Sequence, residues 1–167
     1  PELLFRLDGE EIVTRPMKGT RPRGLGSEAD REIAVELLRS AKERAENLMI
    51  VDMARNDLGR IAETGTVRVT SLYDLERYPT VWQLTSTVRA RTTRSVPEIL
   101  RALFPAASIT GAPKARAMEI IAGLETDTRG PYTGSIGVWG PGRRAEFNVS
   151  IRTAVIDPQS GRAEYGT

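Results

Sequence analysis

The chain has 167 residues, enough to bury a substantial core. It carries 24 Lys and Arg against 22 Asp and Glu, and a formal charge of +2 does not by itself imply a nucleic-acid partner. It has neither cysteine nor histidine, which excludes disulfides, thiolate or imidazole metal sites and every triad built on an imidazole. Chemistry therefore falls to Lys, Arg, Asp, Glu, Tyr, Ser and Thr. Lysine is scarce: Lys18, Lys42 and Lys114 are the only three. There is no run of about 18 apolar residues and no basic-then-apolar leader at the N-terminus, so the expectation is a soluble, cytoplasmic protein without a membrane partner.

In chain order, Leu3 to Leu7, the turn signal Asp8-Gly9 and Ile12 to Thr14 predict a hairpin. Ser27 to Asn47 reads as one helix, with Ser27 as cap, Asp30 three residues on, and a stripe of Ile33, Ala34, Leu37, Leu38, Ala41 and Ala45. A strand from Leu48 to Met53 and a polar loop at Arg55-Asn56-Asp57 are expected next. Strands are then predicted at Thr66 to Thr70 and Thr85 to Ala90. Two helices follow, Val96 to Leu103 and one beginning near Pro113, with Ile120, Ile121 and Leu124 supplying apolar contacts. The last third reads as a hairpin, Tyr132 to Trp139 and Ala145 to Ile156, joined by residues 140–144. Asp157-Pro158 then turns the chain into a short strand at Ala163-Glu164-Tyr165. The class is α+β with mostly antiparallel sheets and packed helices.

The densest chemical signal is Arg15-Pro16-Met17-Lys18-Gly19-Thr20-Arg21-Pro22-Arg23-Gly24. Its prolines and glycines hold the backbone out of a helix, and its cations suit an anion. Gly19 lets backbone N–H groups approach a carboxylate closely, and the Thr20 hydroxyl can donate; a solvated basic loop is the bland alternative. Lys18 is the only amine there. Flanking Arg15, Arg21 and Arg23 disfavour a further positive charge, so a nucleophilic amine is physically possible, although a solvated cation is the commoner case. Glu43 and Glu46 stand three apart on a helix, and the repulsion between them would be offset by Mg²⁺, which favours one or two carboxylates with water and ligand oxygens. Lys42 and Arg44 weaken that inference. In Ser108 to Lys114, hydroxyls and a glycine precede a helix start, a place for an anion or an ordinary cap. Arg152, inside the apolar stretch Val149 to Ile156, needs a carboxylate partner, a ligand or solvent.

Taken together, PMKGTRPRG at 16–24, AENLMIVDMARNDLGR at 45–60, SITGAPKARAM at 108–118 and FNVSIRTAV at 147–155 resemble the chorismate-utilising enzymes. That family includes anthranilate synthase and aminodeoxychorismate synthase component I, and isochorismate and salicylate synthases. The likeness covers nearly the whole chain, with the motifs in the family's order. It implies part of the family's β/α/α/β sandwich, one chorismate-binding catalytic domain over 1–167, chorismate as substrate and Mg²⁺ as cofactor. Anthranilate synthases typically have alanine where Lys18 stands, whereas aminodeoxychorismate synthases carry lysine. The resemblance therefore implies amination of chorismate at C4, with ammonia from a glutamine amidotransferase subunit or domain. Lys18 is then the nucleophile, Glu2 the acid for the departing hydroxyl, and Glu46 a Mg²⁺ ligand with Glu43 nearby. Gly19, Thr20, Tyr132 and Arg152 fall on chorismate-contacting positions.

The sequence departs from the family pattern in three ways. Gln83 replaces a family histidine, so a hydrogen bond can survive there but proton transfer cannot. The family's N-terminal half is missing, and the chain stops before a glycine-rich carboxylate-binding turn and a further Mg²⁺-ligating glutamate. The expectation is a domain truncated at both ends, with an incomplete pocket. Two rival readings stand beside the first: anthranilate or isochorismate synthase, with Lys18 not a nucleophile, and a basic nucleic-acid module using Arg15, Arg21, Arg23, Arg89, Arg91 and Arg94.

Overall fold

Asp8-Gly9 closes the first hairpin as its composition predicts: β1 (Leu3–Asp8) and β2 (Glu11–Arg15) pair antiparallel, and Gly9 takes the left-handed φ of 59° that the turn requires. A computed structural model describes residues 2–166. Beyond Arg15 the chain stays extended, but Pro16 cannot donate to a ladder and divides what would be one strand into β2 and β3 (Met17–Pro22). Both lie along one edge of β5 (Val81–Arg91), β2 against residues 88–91 and β3 against residues 81–85. β4 (Arg68–Arg77) covers the other edge. With β6 (Ser135–Gly140) and β7 (Arg144–Val149), these strands form a seven-stranded sheet in the order β3-β5-β2-β1-β7-β6, antiparallel throughout, with β4 attached to β5. This bears out the α+β class.

Two helices replace the expected helix, strand and loop of residues 27–57. Ser40 is extended, at φ −61° and ψ 109°, and its hydroxyl accepts from the Glu43 N–H at 3.4 Å; α1 (Ser27–Arg39) ends there and α2 (Ala41–Gly59) begins. The Leu48 to Met53 segment is helical. Its neighbours Asn47, Ile50, Val51 and Leu58 are buried at helical spacing, whereas Leu48 and Met49 are 42% and 46% exposed. Four consecutive apolar residues thus cover two helix faces and imitate a strand. Arg55-Asn56-Asp57 continues the same helix, with Arg55 paired to Asp52 at 2.9 Å. Ser27 is not a cap either: Gly26 holds that position.

β4 and β5 run longer than predicted, while α3 (Val96–Leu103) has the predicted bounds, secured by a capping box between Ser95 and Glu98. After the single turn α4 (Ala107–Thr110), α5 (Lys114–Leu124) begins within a residue of the expected start, but it buries nothing: Ile120 is 47% and Leu124 76% exposed. The final hairpin is real but shorter. At Ser150 the chain leaves the sheet, Arg152 adopts φ 52°, and residues 153–156 become β8 (Thr153–Ile156), paired with β9 (Ala163–Gly166) in a separate two-stranded sheet. Arg152 therefore sits in a break between strands rather than within one.

The main core lies where the sheet meets α2 and α3. Phe5, Leu7, Ile12, Val51, Leu58, Val88 and Ile99 are almost wholly buried, and Phe5 stacks on Phe147 with ring centroids 5.2 Å apart. Phe5→Ala is expected to cost about 3–5 kcal/mol in a urea titration, moving the midpoint at constant m-value.

Candidate active site

Between Met17 and Thr20 β3 advances three residues while the facing strand advances two, since Met17 pairs with Thr85 and Thr20 with Gln83. The extra residue is a β-bulge, and it carries Lys18 and Gly19. Gly19 stands at φ 96°, and a Cβ there would press on Glu43, Leu37 and Leu84 at 3.3 Å. The bulge is thus seated directly on the start of α2, beside Glu43.

The rest of the loop is fixed by Asp30. Its carboxylate accepts from Arg23 at 2.7 and 2.5 Å, from the Gly24 N–H at 2.9 Å and from Trp82 Nε1 at 2.9 Å, and Arg23 also lies over the Trp82 ring. A Cβ on Gly24 would fall 2.4 Å from the Asp30 nitrogen, so this approach requires glycine. The Arg23 hydrogen bonds, with help from Gly24 and Trp82, hold the Asp30 carboxyl far below the ordinary aspartate range.

These contacts revise the expectation of an anion-seeking loop. Arg15 pairs with Glu76, Arg21 with Glu43 at 3.0 Å and Arg23 with Asp30. Lys42 faces Glu46 at 3.8 Å, and Lys114 meets Asp57 at 2.6 Å. Among the described residues, Lys18 is the one lysine with no ion pair. The nucleic-acid reading loses its support in the same way, because Arg89 pairs with Glu11, Arg91 with Glu10 and Arg94 with Glu98.

Lys18 is half-buried, and its positive charge acts on Glu2, lowering that carboxyl's proton affinity, as does the nearby Met17 N–H. Glu2 is only 8% exposed. Burial pushes its carboxyl up from the ordinary glutamate value; the hydrogen bond from Ser108, the charge of Lys18 and the Met17 N–H oppose that rise without cancelling it. Lys18 and Glu2, sixteen positions apart in the sequence, are thus coupled through their charges without an ion pair between them. Thr20 points its hydroxyl oxygen at Gln83, which donates through Nε2 at 2.9 Å.

Glu43 and Glu46 lie on the first turns of α2. Glu43 is 12% exposed and held by Arg21, whereas Glu46 is 44% exposed and only loosely faced by Lys42. Two hard carboxylate oxygen donors suit Mg²⁺, which keeps water and ligand oxygens for its remaining positions. No group of three or more acidic side chains converges among the described residues, so Glu46 and Glu43 fit the ion only as a partial protein shell.

Tyr132 and Arg152 are drawn to the Glu2 end of the sheet by backbone bonds. Val149 N donates to Glu2 O at 2.8 Å, Ser150 N to Gly134 O at 2.9 Å, and Thr133 N to Ser150 O at 2.8 Å. Tyr132 packs against Gly166, and Arg152 is exposed without an ion pair among the described residues. Two contacts had no sequence signal linking the residues that make them: Ser108 Oγ donating to Glu2 Oε2 at 2.9 Å, and Lys114 meeting Asp57.

A half-buried amine, a buried carboxyl of raised proton affinity and two carboxylates of the kind Mg²⁺ accepts thus lie on one antiparallel α+β frame. The family model for chorismate binding enzymes matches residues 1–167, and the chain belongs to that family. It is 54% identical over 92% of its length to anthranilate synthase component 1 of Aeropyrum pernix, covering 35% of that protein. It is 48% identical over 92% of its length to aminodeoxychorismate synthase component 1 of Salmonella typhimurium, covering 34% of that one. The crystal structure of anthranilate synthase component I from Streptococcus pneumoniae superposes with a TM-score of 0.83 at 37% identity, over 95% of this chain and 35% of that one. The chain thus spans about a third of the length of these relatives.

Asp30 gives a test of the loop. A carboxyl whose proton affinity is depressed on folding stabilises the fold above its ordinary range and loses that contribution as acid protonates it. Wild type is expected to melt above Asp30→Asn at neutral pH, and the two melting curves should converge as the pH falls below the ordinary aspartate range.

Proposed function

We propose that the complete protein carrying this chain aminates chorismate at C4, giving 4-amino-4-deoxychorismate. The observation that carries this reading is Lys18, left without an ion pair among the described residues on a bulge beside the buried acid Glu2. The Lys18 amine attacks C2 of chorismate, both conjugated ring double bonds shift toward C4, and the C4–O bond breaks as Glu2 gives its proton to the departing hydroxyl, which leaves as water. Ammonia then bonds to C4 and both double bonds return to their original places, expelling the Lys18 amine from C2. The nucleophile is regenerated, and one difficult displacement becomes two. Glu46 with Glu43 would hold Mg²⁺, which would supply positive charge for the substrate's carboxylate. Thr20 and Gly19 offer hydrogen-bonding groups beside the amine, and Arg152 and Tyr132 are further groups for the substrate's oxygens. Ammonia comes from a glutamine amidotransferase subunit or domain.

A second reading, anthranilate synthesis, is favoured by the names of the Aeropyrum and Streptococcus relatives. The two readings differ in product and in adduct. With chorismate, Mg²⁺ and ammonia, the complete protein is expected to release aminodeoxychorismate, and mass spectrometry should find chorismate less one water on Lys18 and none on Lys18→Ala. Anthranilate as sole product, with no adduct, would overturn the proposal. Glu2→Gln is expected to lower kcat by about 10²–10⁴-fold.

A further inference from the structure

We infer that Ser108 is a positioning residue for the acid, holding one carboxyl oxygen of Glu2 so that the other carries the proton to the substrate. This rests on the reading of Glu2 as the acid and adds a residue that the reading does not require. Ser108 Oγ lies 2.9 Å from Glu2 Oε2. The two line a cavity of about 30 Å³, room for about one water, whose wall is otherwise mostly apolar, with Ile50, Leu103 and Val149 among its residues. In such surroundings a carboxylate stripped of water gains much from one hydroxyl donor, and a donor fixed on Oε2 leaves Oε1 to bear the proton.

The hydroxyl is not delivered by a loose loop. Ser108 sits on the single turn α4, and both ends of its segment are tied to α2. Arg60 donates to Asp57 at 2.8 Å and to the carbonyl of Ala102 at 2.6 Å, while Lys114 donates to the same Asp57 at 2.6 Å. Asp57 is buried and lines the same cavity as Glu2. Among the described residues, Lys18 from β3 is the cation whose charge acts on Glu2, and Asp57 from α2 lines the same cavity, paired with Lys114 and Arg60. Replacing Ser108 changes none of them.

When Glu2 gives up its proton, Ser108 stabilises the carboxylate that results. Without the hydroxyl the acid holds its proton more tightly and transfers it less readily. In the complete protein, Ser108→Ala is expected to lower kcat about tenfold, leave KM for chorismate near wild type, and move the alkaline limb of the kcat–pH profile upward. Ser108→Thr, which keeps the hydroxyl, should restore both. If Ser108→Ala does not fold, Ser108→Cys, nearly isosteric and a weaker donor, should show the same displacement of the limb. An unchanged kcat and limb in a folded Ser108→Ala protein, with Glu2→Gln inactive, would overturn the role of Ser108 alone. Full activity in Glu2→Gln would instead overturn the reading of Glu2 as the acid.

Discussion

One residue more on β3 than on the facing stretch of β5 is the constraint on which the site depends. A regular ladder through residues 17–20 would send successive side chains to alternate faces of the sheet. Pro16 interrupts the ladder, the bulge adds Lys18, and Gly19 tolerates the left-handed backbone that results. The cost is local, because Ser86 N donates to Pro16 O at 3.0 Å and re-enters the register beside the break. A four-residue irregularity thus places an amine near a carboxyl at the start of β1, and seats the loop on α2 where the acidic pair lies.

Charge is distributed in a way that composition conceals. A segment with four cations in ten residues looks like a receptor for anions, yet each guanidinium within it has a carboxylate from another element: Glu76 from β4, Glu43 from α2 and Asp30 from α1. These pairs act as fasteners, tying the irregular loop to three different parts of the fold. Partly exposed pairs contribute little each, but Asp30, with its bidentate guanidinium and two N–H donors, is built differently from the others. Lys18 is the cation this arrangement leaves over.

The elements that were legible in the sequence are those whose signals are local. Asp8-Gly9 marks its turn, Ser95 and Glu98 mark the start of α3, and Pro113 marks the start of α5 within a residue. Residues 48–57 were misread because an unbroken apolar run hides the helical period, and the break at Ser150 because Arg152 adopts φ 52° where no glycine announces it. The candidate site divides similarly. Residue type and spacing singled out Lys18, Gly19, Thr20, Glu43, Glu46 and Arg152, and the resemblance to a family supplied Glu2 and Tyr132. Neither could link Ser108 to Glu2, a contact across 106 positions that exists only once α2 has fixed the segment between α3 and α5.

Gln83 has a consequence for how the site meets its surroundings. An imidazole in its place would exchange a proton across the range in which most cells and buffers drift, and its contacts would change with it. A carboxamide has no such transition. Its bond to the Thr20 hydroxyl is the same in mildly acidic and mildly alkaline medium, so this side of the loop is deaf to ambient acidity.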